Sequence, residues 1–201
     1  FLSRDLELTE FKSTPSEVAE LASMSMELLS MEHWDVFYDN KEDLKRAKQE
    51  QLEKVLEGLP WIAAIDKFQH WIYTTDHTAK ERREQWLKIS SQFGNQIIDW
   101  SGQEESLANQ WQKQLHLYEV PFYYIEYGMA QLGAIAMWRE YILKGEDALD
   151  NYMEALKLGY TKSISKIYET AGIKFDFSVE YVKELADFIK TQLSKIDNKS
   201  S

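Results

Sequence analysis

Apolar residues recur at three- and four-residue intervals through most of the chain, and two-residue alternation is nearly absent, so the pattern predicts helices rather than strands. Each of the three prolines introduces such a pattern: Pro15 opens one that runs to Trp34, Pro60 precedes "WIAAIDKFQHWIY", and Pro121 precedes "FYYIEYGMAQLGAIAMWREYIL". The spacing predicts further helices over residues 42–56, 79–100, 104–114, 148–158, 165–171 and 179–196. Gly159 and Gly172 read as helix stops and Ser178 as a helix N-cap. No internal repeat, long linker or low-complexity block interrupts the order, and the expected architecture is one all-α unit.

The first helix carries an anomaly. Thr14, Pro15 and Glu17 together predict a capped start, with Glu17 closing an S/T-x-x-E box. On a helical wheel Glu27 falls just to one side of Glu20, while Met31, Met24, Leu28 and Leu21 fall successively further round on the other. Two carboxylates thus border the apolar stripe. They sit about 10.5 Å apart along the axis, too far to share one ion. A carboxylate taken out of water must pair, protonate or bind a metal. A cationic neighbour or a wet stripe edge satisfies that requirement as well as a metal does.

Composition narrows the function. The chain has 201 residues, 44% hydrophobic and 13% aromatic, which suits a globular core, and its seven Trp and eleven Tyr point to an aromatic interior or groove. A net charge of −11 argues against nucleic acid or an anionic membrane as partner. The uncharged stretch from Tyr127 to Trp138 is too short to span a bilayer, which predicts a soluble protein, and a cytoplasmic location is the accompanying expectation. With no cysteine, disulfides and thiolate metal sites are excluded. The opening "FLSRDLELTEF" has neither Met nor a signal-peptide pattern and reads as the middle of an element, so a portion of a longer chain is expected.

The four histidines, His33, His70, His77 and His116, form no H-E-x-x-H, and none has a Glu three residues before it. Neither a phosphate-binding loop nor a nucleophile elbow is present. The stretch "HLYEVPFYYIEYGMAQLG" is more unusual, because His116, Tyr118, Tyr123, Tyr124 and Tyr127 gather before the small residues Gly128, Ala130 and Gly133. Small residues admit a close neighbour or ligand, while phenols and imidazoles can donate to a developing oxyanion. Aromatic core packing explains the same residues without any chemistry.

Three blocks, "PSEVAELASMSMELLSMEHW", "VPFYYIEYGMAQLGAIAMW" and "LGYTKSISKIYETAGIKFDFS", closely resemble in order the C-terminal part of the oligoendopeptidase F group, in the thimet oligopeptidase family of zinc metallopeptidases. The resemblance runs from Phe1 to about Ile196. It implies a multi-helix domain forming one side of a deep peptide-binding channel, and hydrolysis of short oligopeptides with Zn2+. In that family an H-E-x-x-H helix supplies two zinc histidines and the general base, and a Glu on the next helix is the third ligand. The family's E-x-x-S-x-x-x-E falls on Glu20, Ser23 and Glu27. Glu20 is thereby implied as the metal ligand and Glu27 as an acid orienting a zinc-bound histidine. Glu17 is the rival ligand, set aside on its expected capping role.

By the same resemblance His116 is implied to bind substrate, Tyr127 to stabilise the oxyanion, and Tyr124 to accompany it, with Tyr123 the alternative. The H-E-x-x-H belongs upstream of Phe1, so residues 1–201 are expected to be the C-terminal portion of the catalytic domain, inactive without the remainder and holding zinc weakly or not at all alone. A non-catalytic helical module binding a basic peptide or another protein chain fits the composition equally well.

Overall fold

In the computed structural model, which describes residues 1–94 and 97–198, the chain is all-α, and no strand occurs among the described residues. The α-helices are α1 (Ser16–Ser30), α2 (Lys41–Thr74), α3 (Ala79–Phe93), α4 (Glu104–Ala108), α5 (His116–Glu119), α6 (Ile125–Lys144), α7 (Glu146–Lys157), α8 (Ile164–Thr170) and α9 (Val179–Asn198). Short 3-10 turns precede α1, follow it at Met31–Val36, and follow α4 at Gln110–Lys113. No helix among the described residues is long and apolar enough to cross a membrane. The contacts divide into two compact units, Phe1–Val55 with Met129–Ser201, and Leu56–Gly128.

Several boundaries differ from the sequence reading, each for a local reason. Residues 42–56 and the pattern after Pro60 form one helix, α2, with Pro60 inside it. Proline removes one ladder hydrogen bond there. That loss is offset by continuous burial on both sides, at Leu52 and Val55 before it and at Ile62, Ala64, Ile65 and Phe68 after it. The helix expected over 79–100 stops at Phe93, with Gly94 donating back to the Ser90 carbonyl at 2.7 Å. Asn95 and Gln96, within that expected helix, lie outside the described residues. The pattern over 104–114 breaks at Asn109, whose side-chain amide takes the Glu105 carbonyl at 2.9 Å and competes with the helical ladder. The helix expected after Pro121 begins four residues later, at Ile125, because Phe122 adopts a left-handed φ of 65°.

The expected capping box at Thr14 and Glu17 does not form. Pro15 itself occupies the N-cap position, with no side-chain cap, and its carbonyl accepts from Val18 and Ala19 at 3.0 and 2.9 Å. Thr14 therefore lies one residue outside the register in which its hydroxyl could reach the first turn. The same kind of box does close α3, where the Thr78 side chain accepts from the Glu81 N–H and Glu81 reaches back to Thr78. Ser178 caps α9 as expected, accepting from Tyr181 N at 3.3 Å. Gly159 and Gly172 follow α7 and α8 with φ of 50° and 78°.

In the first unit, α1 buries Val18, Leu21, Ser25, Leu28 and Leu29, and α9 buries Tyr181, Leu185 and Ile189 four residues apart. The run Ala134 to Trp138 of α6 is buried all round, as a central helix must be. Tyr152 of α7 donates to the Ala22 carbonyl at 2.9 Å, and its burial pushes the phenol up to about 12. Gly133 is the tightest point: a Cβ there would lie 2.7 Å from the Leu21 side chain and 2.8 Å from the Tyr168 ring. Both neighbours are fully buried and cannot swing away. Gly133→Ala is expected to destabilise the fold by about 1–3 kcal/mol. A urea midpoint equal to or above the parent's would show that the core yields more than this packing allows.

The second unit is built on aromatic rings. Phe68 meets Trp86 and Trp111 at centroid distances of 5.3 and 5.2 Å, and Trp61 meets Trp86 edge-on at 5.6 Å. The Trp86 indole satisfies itself on the Leu107 carbonyl at 2.9 Å. Leu117 of α5 is buried in this cluster, which anchors the short helix that carries His116.

Candidate active-site residues

His116 begins α5, Tyr123 and Tyr124 occupy the turn that follows, and Tyr127 lies in the first turn of α6. The left-handed Phe122 creates that turn, and its ring rests 5.5 Å from Tyr73 and 5.0 Å from His70. A bulky residue at positive φ is costly and persists only where its surroundings hold it. Here packing holds it, and the consequence is that three phenols converge on one imidazole.

Ring centroids of Tyr123, Tyr124 and Tyr127 lie 6.2, 4.9 and 5.4 Å from that of His116. Tyr127 stands edge-on to the imidazole at 89°, with His116 Nε2 and the Tyr127 hydroxyl 3.4 Å apart. Tyr123 and Tyr124 each flank Tyr127 at 5.5 Å. His116 Nδ1 is met at 2.7 Å by Gln114 Nε2, and Gln114 Oε1 accepts from the Trp61 indole at 3.2 Å. Burial pushes the Tyr124 phenol up, against a lowering contribution from Trp61 and with a further rise from neighbouring Tyr127. Tyr124 is therefore held as a neutral hydroxyl well above physiological pH. All four predicted residues of this group, His116, Tyr123, Tyr124 and Tyr127, are half-buried, open enough to meet a ligand and packed enough to keep their geometry.

Sequence reasoning singled out the four aromatic residues but missed Gln114 and Trp61. Trp61 is 53 residues from Gln114 along the chain, and no local pattern joins them. The close approaches expected at Gly128 and Gly133 are made by protein side chains: a Cβ on Gly128 would lie 3.2 Å from Ile62, and Gly133 faces Leu21 and Tyr168. A cleft of about 590 Å³ in the same unit is lined by Trp61, Trp86, Leu87, Phe93 and Trp100 among others. It shares only Trp61 with the hydrogen-bonded chain and includes none of the predicted site residues.

On α1, the buried face centres on Leu21, Ser25 and Leu28, more than a quarter turn round from Glu20. Met24 is half-buried on its flank and Met26 exposed, whereas Met31, just past the end of α1, is buried. Glu20 lies half-buried on the same flank, and Ser23 donates to its carbonyl at 3.0 Å. Glu27 is exposed and accepts from Gln51 Nε2 at 3.1 Å. Glu17 is half-buried, near enough to help raise the Tyr168 phenol. Among the described residues no group of three or more His, Asp or Glu side chains is arranged to hold a metal ion. The chain by itself does not fit zinc, although a glutamate carboxylate suits it as one ligand.

Three solved structures share this fold. A protein described as oligoendopeptidase F, solved at 3.1 Å by X-ray diffraction, superposes with a TM-score of 0.85 and 27% identity over all of this chain and 35% of its own. PZ peptidase A with an inhibitor gives 0.87 and 28% over 98% of this chain and 35% of its own. A further oligoendopeptidase F structure, from Bacillus anthracis str. Ames, gives 0.78 and 25% over all of this chain and 32% of its own. The chain thus spans about a third of the length of these structures. Comparison with curated proteins gives no match. The sequence pattern of peptidase family M3 matches residues 2–187, which include His116 and the tyrosines gathered round it, and the chain belongs to that family.

Proposed function

We propose that this chain contributes part of the catalytic domain of a zinc metalloendopeptidase acting on short oligopeptides, its helices lining one side of a deep peptide channel. The observation that carries the reading is the His116–Tyr127 pair at 3.4 Å, enclosed by two further phenols, in a chain of peptidase family M3. Glu20 is assigned as one metal ligand, on the E-x-x-S-x-x-x-E pattern, and Glu27 as an acid that orients a zinc-bound histidine. The other ligands and the general base belong to an H-E-x-x-H segment that this sequence does not contain.

A zinc ion held by Glu20 together with ligands from outside this sequence would supply Lewis acidity and a water of lowered pKa. His116 holds the substrate backbone by hydrogen bonding. Tyr127 donates its hydroxyl proton into a hydrogen bond with the oxyanion of the tetrahedral intermediate, an interaction stronger there than with the ground-state carbonyl. Tyr124, or Tyr123 in its place, donates to the substrate from the neighbouring turn. Side chains of Tyr123 and Tyr124 also fix the Tyr127 ring from two sides, so its hydroxyl needs little reorganisation.

A helical module that binds peptides without cleaving them is the alternative. The two readings separate in one assay series. Residues 1–201 alone, incubated with zinc and a quenched fluorescent peptide, are expected to show no cleavage, because the described residues carry no three-ligand cluster. The same residues joined to an H-E-x-x-H segment are expected to cleave and to be silenced by a chelator. Absence of cleavage in both, with peptide binding retained, favours the binding module; chelator-sensitive cleavage by residues 1–201 alone overturns the ligand assignment.

A further inference from the structure

Three residues form a hydrogen-bond chain whose direction is fixed by chemistry. It starts at the Trp61 indole, which can only donate. Its N–H meets Gln114 Oε1 at 3.2 Å, so the Gln114 amide oxygen must face Trp61 and the NH2 must face the other way. That NH2 lies 2.7 Å from His116 Nδ1. An amide NH2 offers hydrogen and no usable lone pair, hence Nδ1 must accept. A proton on Nδ1, in either the other neutral tautomer or the imidazolium, would set two donors against each other at that distance.

From this geometry we infer that Gln114, oriented by Trp61, is a positioning residue that holds His116 as the neutral tautomer with its proton on Nε2. His116 then has a single donor, Nε2–H, which is directed at the Tyr127 hydroxyl 3.4 Å away and can turn to a substrate carbonyl in its place, and it does not serve as a base. While that donor is on Tyr127, the phenol receives a hydrogen bond on its oxygen, which polarises its own O–H for donation. The arrangement is buttressed beyond the chain itself. Trp61 is pinned edge-on against the fully buried Trp86 and carries the Lys113 ammonium 4.3 Å above its ring, so the donor that sets the direction is not free to turn. The inference rests on the reading of His116 as a substrate-binding residue, and adds the two residues that decide which hydrogen bond it can make.

The test begins with the protein labelled with 15N-histidine, the His116 signals being assigned from their loss in His116→Gln. At neutral pH the parent is expected to show an unprotonated, pyridine-like Nδ1 and a protonated, pyrrole-like Nε2. Gln114→Glu preserves shape but places a carboxylate oxygen opposite Nδ1, and is expected to move a proton onto Nδ1 and, by misdirecting a substrate-positioning group, to lower kcat/KM up to about 100-fold in the active peptidase. Trp61→Phe keeps a ring against Trp86 but removes the indole N–H, and is expected to give a mixture of tautomers as the amide flips.

A parent His116 protonated on Nδ1 overturns the inference. So does a Gln114→Glu variant with an unchanged tautomer, even if its activity falls, because the loss would then be structural. The expected tautomer switch with unchanged kcat/KM supports the lock and overturns the underlying reading of His116 as a substrate residue, so the two failures are distinguishable. Thermal unfolding of both variants, matched to the parent, keeps misfolding out of the comparison.

Discussion

Tyr127→Phe is expected to lower kcat of the active peptidase about 10²- to 10³-fold, or about 2.7 to 4 kcal/mol of transition-state stabilisation, with KM little changed. The substitution keeps the ring that Tyr123 and Tyr124 flank at 5.5 Å and the edge-on contact with His116, and removes only the hydroxyl. A donor that acts on the oxyanion contributes most when charge has developed, so its loss falls on kcat. A group that binds substrate and transition state alike would instead raise KM and leave kcat intact. Full kcat in Tyr127→Phe would remove Tyr127 from the mechanism, and the same measurement on Tyr124→Phe and then Tyr123→Phe would follow. Tyr124 is the nearer of these two to His116, and burial keeps its phenol protonated.

Glu20→Gln is expected to release zinc from the active peptidase, weakening it more than about 100-fold, since loss of a direct ligand exceeds the 10- to 100-fold typical of residues that merely orient ligands. Gln keeps the volume at this half-buried position and removes the charge that a divalent cation needs. Metal content after dialysis, read by atomic emission, reports the loss independently of turnover. Glu17→Gln is the essential control. The capping role that had set Glu17 aside is absent from the structure, because Pro15 occupies the N-cap. Glu20 therefore stands on its sequence pattern alone, and Glu17, three residues away on the same helix, remains chemically able. Zinc retained in Glu20→Gln and lost in Glu17→Gln would transfer the ligand to Glu17, and zinc retained in both would remove α1 from the metal site.

Much of the fold was legible because helix periodicity is a local property. Stops at Gly159 and Gly172 and the cap at Ser178 were readable from single residues, since each relies on backbone geometry or a bond within three or four positions. Boundaries failed where a local rule met a distant contact. Pro60 is a fair helix start by propensity, yet α2 passes through it because apolar positions on both sides are buried. The buried face of α1 is rotated from the one its hydrophobic stripe suggests, with Ser25 inside and Met24 on the flank. A wheel ranks hydrophobicity, whereas the actual face is chosen by the helices that pack on it.

The sequence by itself determined that the chain is helical, that His116 and a run of tyrosines fall close together, and, through three ordered blocks, which peptidase family they resemble. The first two are matters of period and short spacing, and the third is a resemblance carried by the blocks themselves. Only the tertiary structure decided how the tyrosines are aimed. The left-handed turn at Phe122, held by Tyr73 and His70 from α2, swings Tyr123, Tyr124 and Tyr127 onto one imidazole. The identity of His116's hydrogen-bond partners was equally beyond the sequence, because Trp61 and Gln114 are brought together by the aromatic core of the second unit and not by their spacing. Helices form from interactions within a turn, whereas the direction of a hydrogen bond between residues 53 apart is set only once the core has packed.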